Sequence, residues 1–167
     1  MARILIVGNS GSGKTTLARR LQQSLDLPHL DLDTLAWLPG SPPLRRALTD
    51  SGQQIKRFTR LNRNWVIEGC YADLLELLAT EADDLVFLNL PERACIANAR
   101  SRPFEPHKYS SAASQNRNLA MLLQWIRDYP NRTDTCSLEA HQRLYEAFPG
   151  GKHLLTSREA ASCWAPG

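Results

Sequence analysis

A glycine-rich segment near the N-terminus contains the residues whose chemistry is easiest to interpret. Residues 8–15 read GNSGSGKT and fit the P-loop pattern G-x-x-x-x-G-K-[ST]. The glycines allow positive φ, so successive main-chain N–H groups can point at one anion, and the helix that follows adds its N-terminal dipole. Lys14 is predicted to reach the β- and γ-phosphates of a nucleotide, and the Thr15 hydroxyl to hold Mg²⁺. The alternative is a flexible Gly/Ser turn between a strand and a helix. The predicted nucleotide-binding residues here are Gly8, Asn9, Ser10, Gly11, Ser12, Gly13, Lys14, Thr15 and Thr16.

Three acidic residues come at the ends of predicted strands. Asp31 and Asp33 end a short strand, and their period-two spacing predicts both carboxylates on one side. They could contact Mg²⁺ through water or bind a substrate hydroxyl, and one could accept the proton of an acceptor hydroxyl. Asp33 could instead cap a helix that begins at residue 34. Glu68 ends an apolar strand, where a P-loop protein places a second magnesium ligand, although a surface acid would look the same in sequence. We therefore predict Asp33 as catalytic, and Asp31 and Glu68 with Thr15 as metal ligands.

Arginines surround a long coil in the second half of the chain. A transferred phosphoryl group needs its charge screened, and arginine does this well. Arg100 and Arg102 border the coil, and Arg132 follows the next predicted helix. Each alone is more typical of a solvated surface, but at least one of the three is predicted to reach the phosphates. The coil itself, residues 102–112 (RPFEPHKYSSA), has a length typical of a lid or binding loop, and is called the lid coil below.

Predicted strands and helices alternate along the chain, which implies a parallel sheet with helices on both faces. The predicted strands are residues 3–7, 29–32, 65–68, 85–90 and 152–156. The predicted helices are residues 14–25, 44–61, 71–79, 113–129 and 137–147, with two more beginning at 91 and 157. Residues 37–43, which contain three prolines and a glycine, are predicted as a loop. Ligands of such sheets bind beyond the carboxyl ends of the strands, where the acidic residues above fall.

Bulk composition narrows the class of protein. A length of 167 residues predicts one domain, and a formal net charge of +3 is too small to mark the whole chain as a nucleic-acid binder. The sequence contains no apolar run of about 18 residues, so no membrane span is predicted. The four cysteines are widely spaced without a C-x-x-C pair, and the four histidines are scattered. We therefore expect a cytoplasmic protein with reduced thiols and no structural zinc site.

Several segments together resemble the small adenylate-kinase-like P-loop kinases. Within them the chain looks most like the group labelled DNA topology modulation protein or adenylate kinase-related kinase. The resemblance covers nearly the whole chain, in GNSGSGKTTLARRL, LDLDTLAW, NWVIEGCY, LVFLNLPERACIANARSR, LLQWIRDYPNR and HLLTSREA. It implies an α/β P-loop NTPase three-layer sandwich whose five parallel strands have the order 2-3-1-4-5. It also implies a single domain, residues 1–167, with a lid at roughly 100–132 and an acceptor-binding region at roughly 33–63.

The resemblance implies roles for individual residues, with ATP and Mg²⁺ as the donor. Lys14 and Thr15 match the phosphate lysine and magnesium hydroxyl, and Glu68 falls where such kinases carry the acid of "DG". Arg100 and Arg102 fall where lid arginines are found. In the loop after the last strand, where the adenine edge is held, this sequence has Thr156, Ser157 and Arg158.

Other positions of this sequence match or depart from the sequence pattern of the P-loop kinases that it resembles. Asp31 and Asp33 resemble the D-x-D segment of shikimate kinase, a relative with the same fold. The group also carries an arginine soon after "GNY", which GCYADLL lacks, and Asn98 replaces a residue that is often basic. The "DGFPR" segment of true adenylate kinases is absent, so AMP is a doubtful acceptor.

These observations predict an ATP- and Mg²⁺-dependent phosphotransferase that acts on a small-molecule or nucleotide acceptor, as a monomer or homodimer. One alternative is a nucleotide-binding regulatory or DNA-associated protein that uses ATP as a conformational switch. A plain NTPase is a further alternative, although no water-orienting residue is recognisable. The basic residues that could contact DNA are Arg45, Arg46, Lys56, Arg57, Arg60 and Arg63.

Overall fold

Apolar strands buried on both faces form the centre of the fold. The computed structural model describes residues 1–167. In chain order the elements are β1 (Arg3–Gly8), α1 (Lys14–Leu25), β2 (His29–Asp31), α2 (Asp33–Ala36), β3 (Trp37–Leu38), β4 (Leu44–Arg45), α3 (Leu48–Leu61), β5 (Trp65–Gly69), α4 (Ala72–Glu76), β6 (Asp84–Leu88), α5 (Glu92–Arg100), α6 (Ala112–Arg117), α7 (Leu119–Arg127), α8 (Leu138–Ala147), β7 (Gly151–Leu155) and α9 (Arg158–Cys163).

Five of these strands form one parallel sheet in the order β2-β5-β1-β6-β7. The remaining two, β3 and β4, pair with each other as a short antiparallel hairpin. When the hairpin is left out of the count, the order is the predicted 2-3-1-4-5. The α/β fold class and its parallel five-stranded sheet are therefore confirmed. All five carboxyl ends lie at one edge of the sheet, because parallel strands point the same way.

Alternate side chains of β1 enter two separate hydrophobic cores. Leu5 and Val7 lie in the core that includes residues of α3, α4 and α8. Ile4 and Ile6 lie in the core that includes residues of α1, α5 and α7. A strand covered by helices on both faces needs apolar residues at its buried positions, which is why ILIV, residues 4–7, shows no alternation. The two cores hold β1 rigidly, and β1 leads directly into the P-loop.

Two predicted helices differ from the structure. The helix expected over residues 44–61 begins only at Leu48, because Leu44 and Arg45 pair with Leu38 and Trp37 in the hairpin. Two consecutive prolines hold the chain extended just before Leu44, which favours this pairing over a longer helix. The helix expected over residues 113–129 is divided into α6 and α7 at Asn118. The Asn118 side chain donates to the Ser114 carbonyl, a local bond that competes with helix continuation.

The helices of the molecule are those of a layered α/β domain. None of them combines the length and the apolar character that crossing a bilayer requires.

Candidate active site

A cavity of about 420 Å³ lies where the P-loop, the carboxyl ends of β2 and β5, and the lid coil meet. The P-loop contributes residues 10–16 to its wall, and the lid coil contributes Arg102, Glu105 and Lys108. Glu68 and Asp33 also line it, from the end of β5 and the start of α2. The structure therefore places side chains from distant parts of the chain around one opening.

The P-loop backbone has the shape that an anion cradle requires. Gly11 and Gly13 have φ of 75° and 92°, in the left-handed region that favours glycine. A Cβ at Gly11 would lie 2.3 Å from the Cys95 carbonyl oxygen of α5, so this position also demands glycine because of packing. The buried Ser12 hydroxyl has no hydrogen-bond partner. The cradle therefore has an available polar group at the place where a phosphate is expected.

Two polar contacts hold the P-loop in position. The Lys14 ammonium donates to the Asn9 carbonyl oxygen at 2.8 Å, across its own loop. Asn98, on α5, donates from Nδ2 to the Gly11 carbonyl oxygen at 2.8 Å. The residue at position 98, which departs from the resembling kinases, thus contributes to the shape of the loop. Lys14 lines the cavity and contacts only its own loop, so its ammonium can turn toward a phosphate.

Thr15 and Glu68, two of the three predicted metal ligands, lie together. Thr15 Oγ1 donates to Glu68 Oε1 at 2.8 Å, and His29 Nε2 lies 3.3 Å from the same oxygen. The Glu68 side chain is 2% exposed, yet it lines the cavity. Mg²⁺ takes oxygen ligands and keeps several waters and phosphate oxygens, so one hydroxyl and one carboxylate fit its ordinary protein ligand set. The structure contains no group of three or more His, Cys, Asp or Glu residues arranged as metal ligands.

Asp31 and Asp33 share a single cation, Lys108 of the lid coil. The Lys108 ammonium lies 2.7 Å from Asp33 Oδ2 and 3.3 Å from Asp31 Oδ2. Asp31 is committed to internal contacts, because its Oδ1 accepts from the Asp33 N–H at 2.9 Å and it does not line the cavity. Asp33 does line the cavity, and its side chain is 34% exposed. Asp33 is therefore the aspartate that faces the cavity, whereas Asp31 supports the start of α2.

A tyrosine orients the Asp33 carboxylate. Tyr71 donates its hydroxyl to Asp33 Oδ1 at 2.5 Å and accepts from Trp37 Nε1 at 2.8 Å. Burial raises the pKa of Tyr71, and the negative charges of Cys70 and Asp33 in their ionised forms would raise it further, so the phenol keeps its proton and remains a donor. One carboxylate oxygen of Asp33 is thus bound by Tyr71 and the other by Lys108.

Burial and the surrounding charges shift the pKa values of the two aspartates in opposite directions. Burial raises the pKa of Asp31, and the Glu68 and Asp33 carboxylates raise it further. Burial also acts to raise the pKa of Asp33, but the Lys108 ammonium and its hydrogen bond bring that pKa below the ordinary value. Burial acts to lower the pKa of Lys108, and the two aspartates raise it above its ordinary value. At neutral pH an ionised Asp33 therefore faces a charged Lys108.

The three predicted phosphate-binding arginines have different environments. Arg102 lines the cavity, with its guanidinium 3.5 Å from Glu105 Oε2. Arg100 is exposed at the end of α5 and does not line the cavity. Arg132 also lies outside the cavity wall: it stacks on Trp125 with 3.5 Å to the ring centroid, and donates to the Trp125 and Cys136 carbonyl oxygens. Of the three, only Arg102 lines the cavity in this structure.

The contacts of Arg132 predict that it stabilises the fold. Arg132→Ala removes the charged hydrogen bonds and the cation–π contact, and is expected to lower the free energy of unfolding by about 2–3 kcal/mol. Arg100→Ala is the matched control, expected within about 0.5 kcal/mol of wild type. Urea denaturation measures both. If Arg132→Ala kept its stability and lost phosphoryl transfer, Arg132 would have the lid role predicted from the sequence.

The predicted adenine-edge residues lie at the start of α9. Arg158 lines the cavity, and Arg20 of α1 donates to the Ala161 carbonyl oxygen beside it. The Ser157 side chain accepts from the Ala160 N–H and so caps α9. Thr156 is exposed and does not line the cavity.

Sequence reasoning missed Lys108, Glu105 and Tyr71. The lid coil was recognisable from its length and prolines, but no local pattern pairs a lysine of this coil with Asp33. Tyr71 follows a predicted strand end and gave no signal beyond its position.

Comparisons with known proteins identify a family and a relative. Residues 4–90, more than half of the chain, match the model of a protein family described as AAA domain. The chain is also 26% identical over 130 residues to the uncharacterized protein YqaC of Bacillus subtilis, a match that covers 77% of this chain and 72% of that protein.

Two solved structures share the fold. The shikimate kinase from Acinetobacter baumannii in complex with shikimate has a TM-score of 0.53 and 18% identity, over 96% of this chain and 87% of that one. The shikimate kinase from Aquifex aeolicus has a TM-score of 0.53 and 16% identity, over 96% of this chain and 91% of that one. At these identities the likeness shows a P-loop kinase fold and nothing about the substrate.

Proposed function

Because the chain belongs to the AAA domain family, we propose that its P-loop site is that of an ATP- and Mg²⁺-dependent phosphotransferase with a small-molecule acceptor. One observation carries the proposal: the cavity is lined both by Lys14 of the P-loop and by the Asp33 carboxylate, whose two oxygens contact Tyr71 and Lys108. A site for nucleotide binding alone needs the first feature, whereas phosphoryl transfer to a hydroxyl needs both.

The donor half of the site is built from the P-loop. The main-chain N–H groups of residues 10–15 and the Lys14 ammonium would bind the β- and γ-phosphates, and Arg158 would lie toward the nucleoside. Thr15 and Glu68 would hold Mg²⁺, directly or through water. When bound, Mg²⁺ supplies positive charge that screens the transferred phosphoryl group.

The acceptor half of the site is built around Asp33. An acceptor hydroxyl oxygen forms a bond to the γ-phosphorus while the bond from that phosphorus to the β–γ bridging oxygen breaks, and ADP leaves. The hydroxyl proton passes to the Asp33 carboxylate and then to water. Tyr71 and Lys108 hold that carboxylate at a fixed angle, which reduces the entropy lost when the acceptor is aligned.

In this proposal the lid coil would close the cavity. Arg102, Glu105 and Lys108 line the cavity from this segment, and the Lys108 ammonium lies 2.7 Å from Asp33 Oδ2. Exclusion of water by this contact would favour transfer to the acceptor over hydrolysis.

The proposal keeps the other expectations from the sequence. It includes membership of the adenylate-kinase-related group, a lid over roughly 100–132 and an acceptor-binding region over roughly 33–63. It also includes a cytoplasmic location and a monomeric or homodimeric state.

The test is ADP formation with Mg²⁺-ATP, alone and with a panel of hydroxyl compounds that includes nucleosides, nucleoside monophosphates, shikimate and sugars. We expect one compound to raise ADP formation and to gain a phosphate that mass spectrometry detects. Calorimetry measures ATP binding in parallel. If ATP bound but no compound were phosphorylated, the kinase proposal would be withdrawn in favour of a nucleotide-dependent regulator, and salt-dependent DNA retention would become the next measurement.

A further inference from the structure

The acceptor end of the cavity has more carboxylates than cations. Asp33 and Glu105 line this part of the wall and are called the acidic end below, and Glu68, the proposed Mg²⁺ ligand, lines the neighbouring wall. Asp31 lies directly behind it, paired in the sheet register with Glu68. Lys108 is the cation shared by three of these carboxylates, at 2.7 Å from Asp33, 3.3 Å from Asp31 and 3.7 Å from Glu105. Four carboxylates thus meet in one small region of the structure.

The cations near the acidic end are already engaged. Lys108 is 14% exposed and surrounded by carboxylates, and Arg102 is paired with Glu105. Arg45 is paired with Asp73 at 3.1 Å and lies over the Tyr71 ring. Lys14 lies at the phosphate end of the cavity. His107 Nε2 likewise lies 3.3 Å from Asp31 Oδ2. Each of these groups at the acidic end therefore already faces a carboxylate, and an anionic acceptor would have to displace one of these contacts.

Glu105 supplies an independent observation that points to a ligand. Its side chain is 8% exposed and lines the cavity, and its buried Oε2 accepts no hydrogen bond, although the Arg102 guanidinium lies 3.5 Å away as an ion-pair partner. A buried carboxylate oxygen that accepts no hydrogen bond is costly, so a bound molecule that offers a hydroxyl or ammonium hydrogen here is stabilised. An anionic group here would meet like charge and could not supply that hydrogen bond.

From these contacts we infer that the acceptor is a small hydroxyl compound without negative charge, bound by donation to Glu105 and Asp33. This inference rests on the proposed kinase function and names its substrate class: polyols, sugars, amino sugars and nucleosides fit. Nucleoside monophosphates, sugar phosphates and carboxylates such as shikimate do not, even though the fold is shared with shikimate kinases.

The test compares acceptors that differ mainly in charge, in the ADP-formation assay. The sets are glucuronate, its methyl ester and its amide; gluconate and its amide; and shikimate and its methyl ester, and in each set the anionic member keeps the hydroxyl groups of its uncharged partner. In any set that is phosphorylated, we expect kcat/KM to be at least roughly 100-fold lower for the anionic member than for the uncharged one. An anionic member that equals or exceeds its uncharged partner would overturn the inference and leave the kinase proposal standing. Absence of phosphorylation in every set would overturn the kinase proposal and this inference with it.

A charge-changing variant separates this explanation from simple steric fit. Glu105→Gln keeps the size of the side chain and removes one negative charge, so the preference against the anionic member should fall by roughly tenfold. Lys108→Met removes a positive charge and should increase that preference, provided activity remains measurable. Glu92→Gln, on the exposed start of α5, is the matched control and should leave the ratio of kcat/KM between the uncharged and the anionic acceptor unchanged. Equal ratios in Glu105→Gln and Glu92→Gln would contradict a role for the charge of Glu105.

Discussion

Lys14→Ala is expected to lower acceptor-dependent ATP turnover by about 10²–10³-fold, the effect of removing one preorganised cationic donor from a phosphoryl-transfer site. The Lys14 ammonium contacts only the Asn9 carbonyl oxygen of its own loop. Its loss therefore removes charge from the phosphate site without disrupting either hydrophobic core. Stopped-time measurement of ADP formation at saturating acceptor gives the rate, and calorimetry gives the affinity for ATP.

Lys56→Ala is the matched control, because Lys56 is an exposed lysine of α3 on a surface that does not line the cavity. It should leave turnover and the midpoint of thermal unfolding unchanged. A Lys14→Ala protein that unfolds at the wild-type temperature and retains full turnover would be incompatible with a phosphate role for this lysine.

Asp33→Asn is expected to lower kcat by about 10²–10⁴-fold with a much smaller change in ATP affinity, because the amide can still align a hydroxyl but cannot accept its proton. The substitution preserves the size of the side chain, and Lys108 keeps its contacts with Asp31 and Glu105. Asp50→Asn, at an exposed position in the first turn of α3, is the matched control. An Asp33→Asn enzyme with wild-type kcat would remove Asp33 from the mechanism.

The pH profile tests the same carboxylate in a second way. Lys108 holds the pKa of Asp33 below its ordinary value, so Asp33 stays ionised as the pH falls, and the loss of activity on the acid side should come below the usual range of an aspartate. Lys108→Met removes the ammonium and leaves burial, which raises the pKa. The acid limb of kcat/KM should therefore move to higher pH in this variant. An unmoved limb would show that the titrating group is not Asp33.

Much of the fold was predictable because its signals are local. The apolar strands and the helix of residues 14–25 were recovered, since buried parallel strands and amphipathic helices have their own periodicities. The strand order was implied by the resemblance to P-loop kinases and not by any local pattern. The errors fall where a tertiary partner decided the outcome. Leu44 and Arg45 became a strand because Trp37 and Leu38 were available to pair with them.

The candidate site also has a part that local sequence signals predicted and a part that only tertiary packing decided. The P-loop was predictable because its anion cradle is made by consecutive main-chain N–H groups, so residues 8–15 contain the whole pattern. The arginines were harder to assign, because Arg102 and Arg132 have the same charge and similar surroundings in sequence. Only packing separates them, by placing Arg132 on Trp125 and Arg102 at the cavity.

By itself, then, the sequence determined a phosphate cradle on a parallel α/β sheet, because strand, glycine loop and helix follow one another without interruption. The tertiary structure alone decided what faces that cradle. The pairs Thr15 with Glu68, Asp33 with Tyr71, and Asp33 with Lys108 join residues that are far apart in the chain. Such pairs depend on strand order and on the path of the lid coil, and electrostatic attraction between side chains acts across space whatever their separation in sequence. The charge of the acceptor end, and with it the class of acceptor that we propose, is therefore a property of the folded chain.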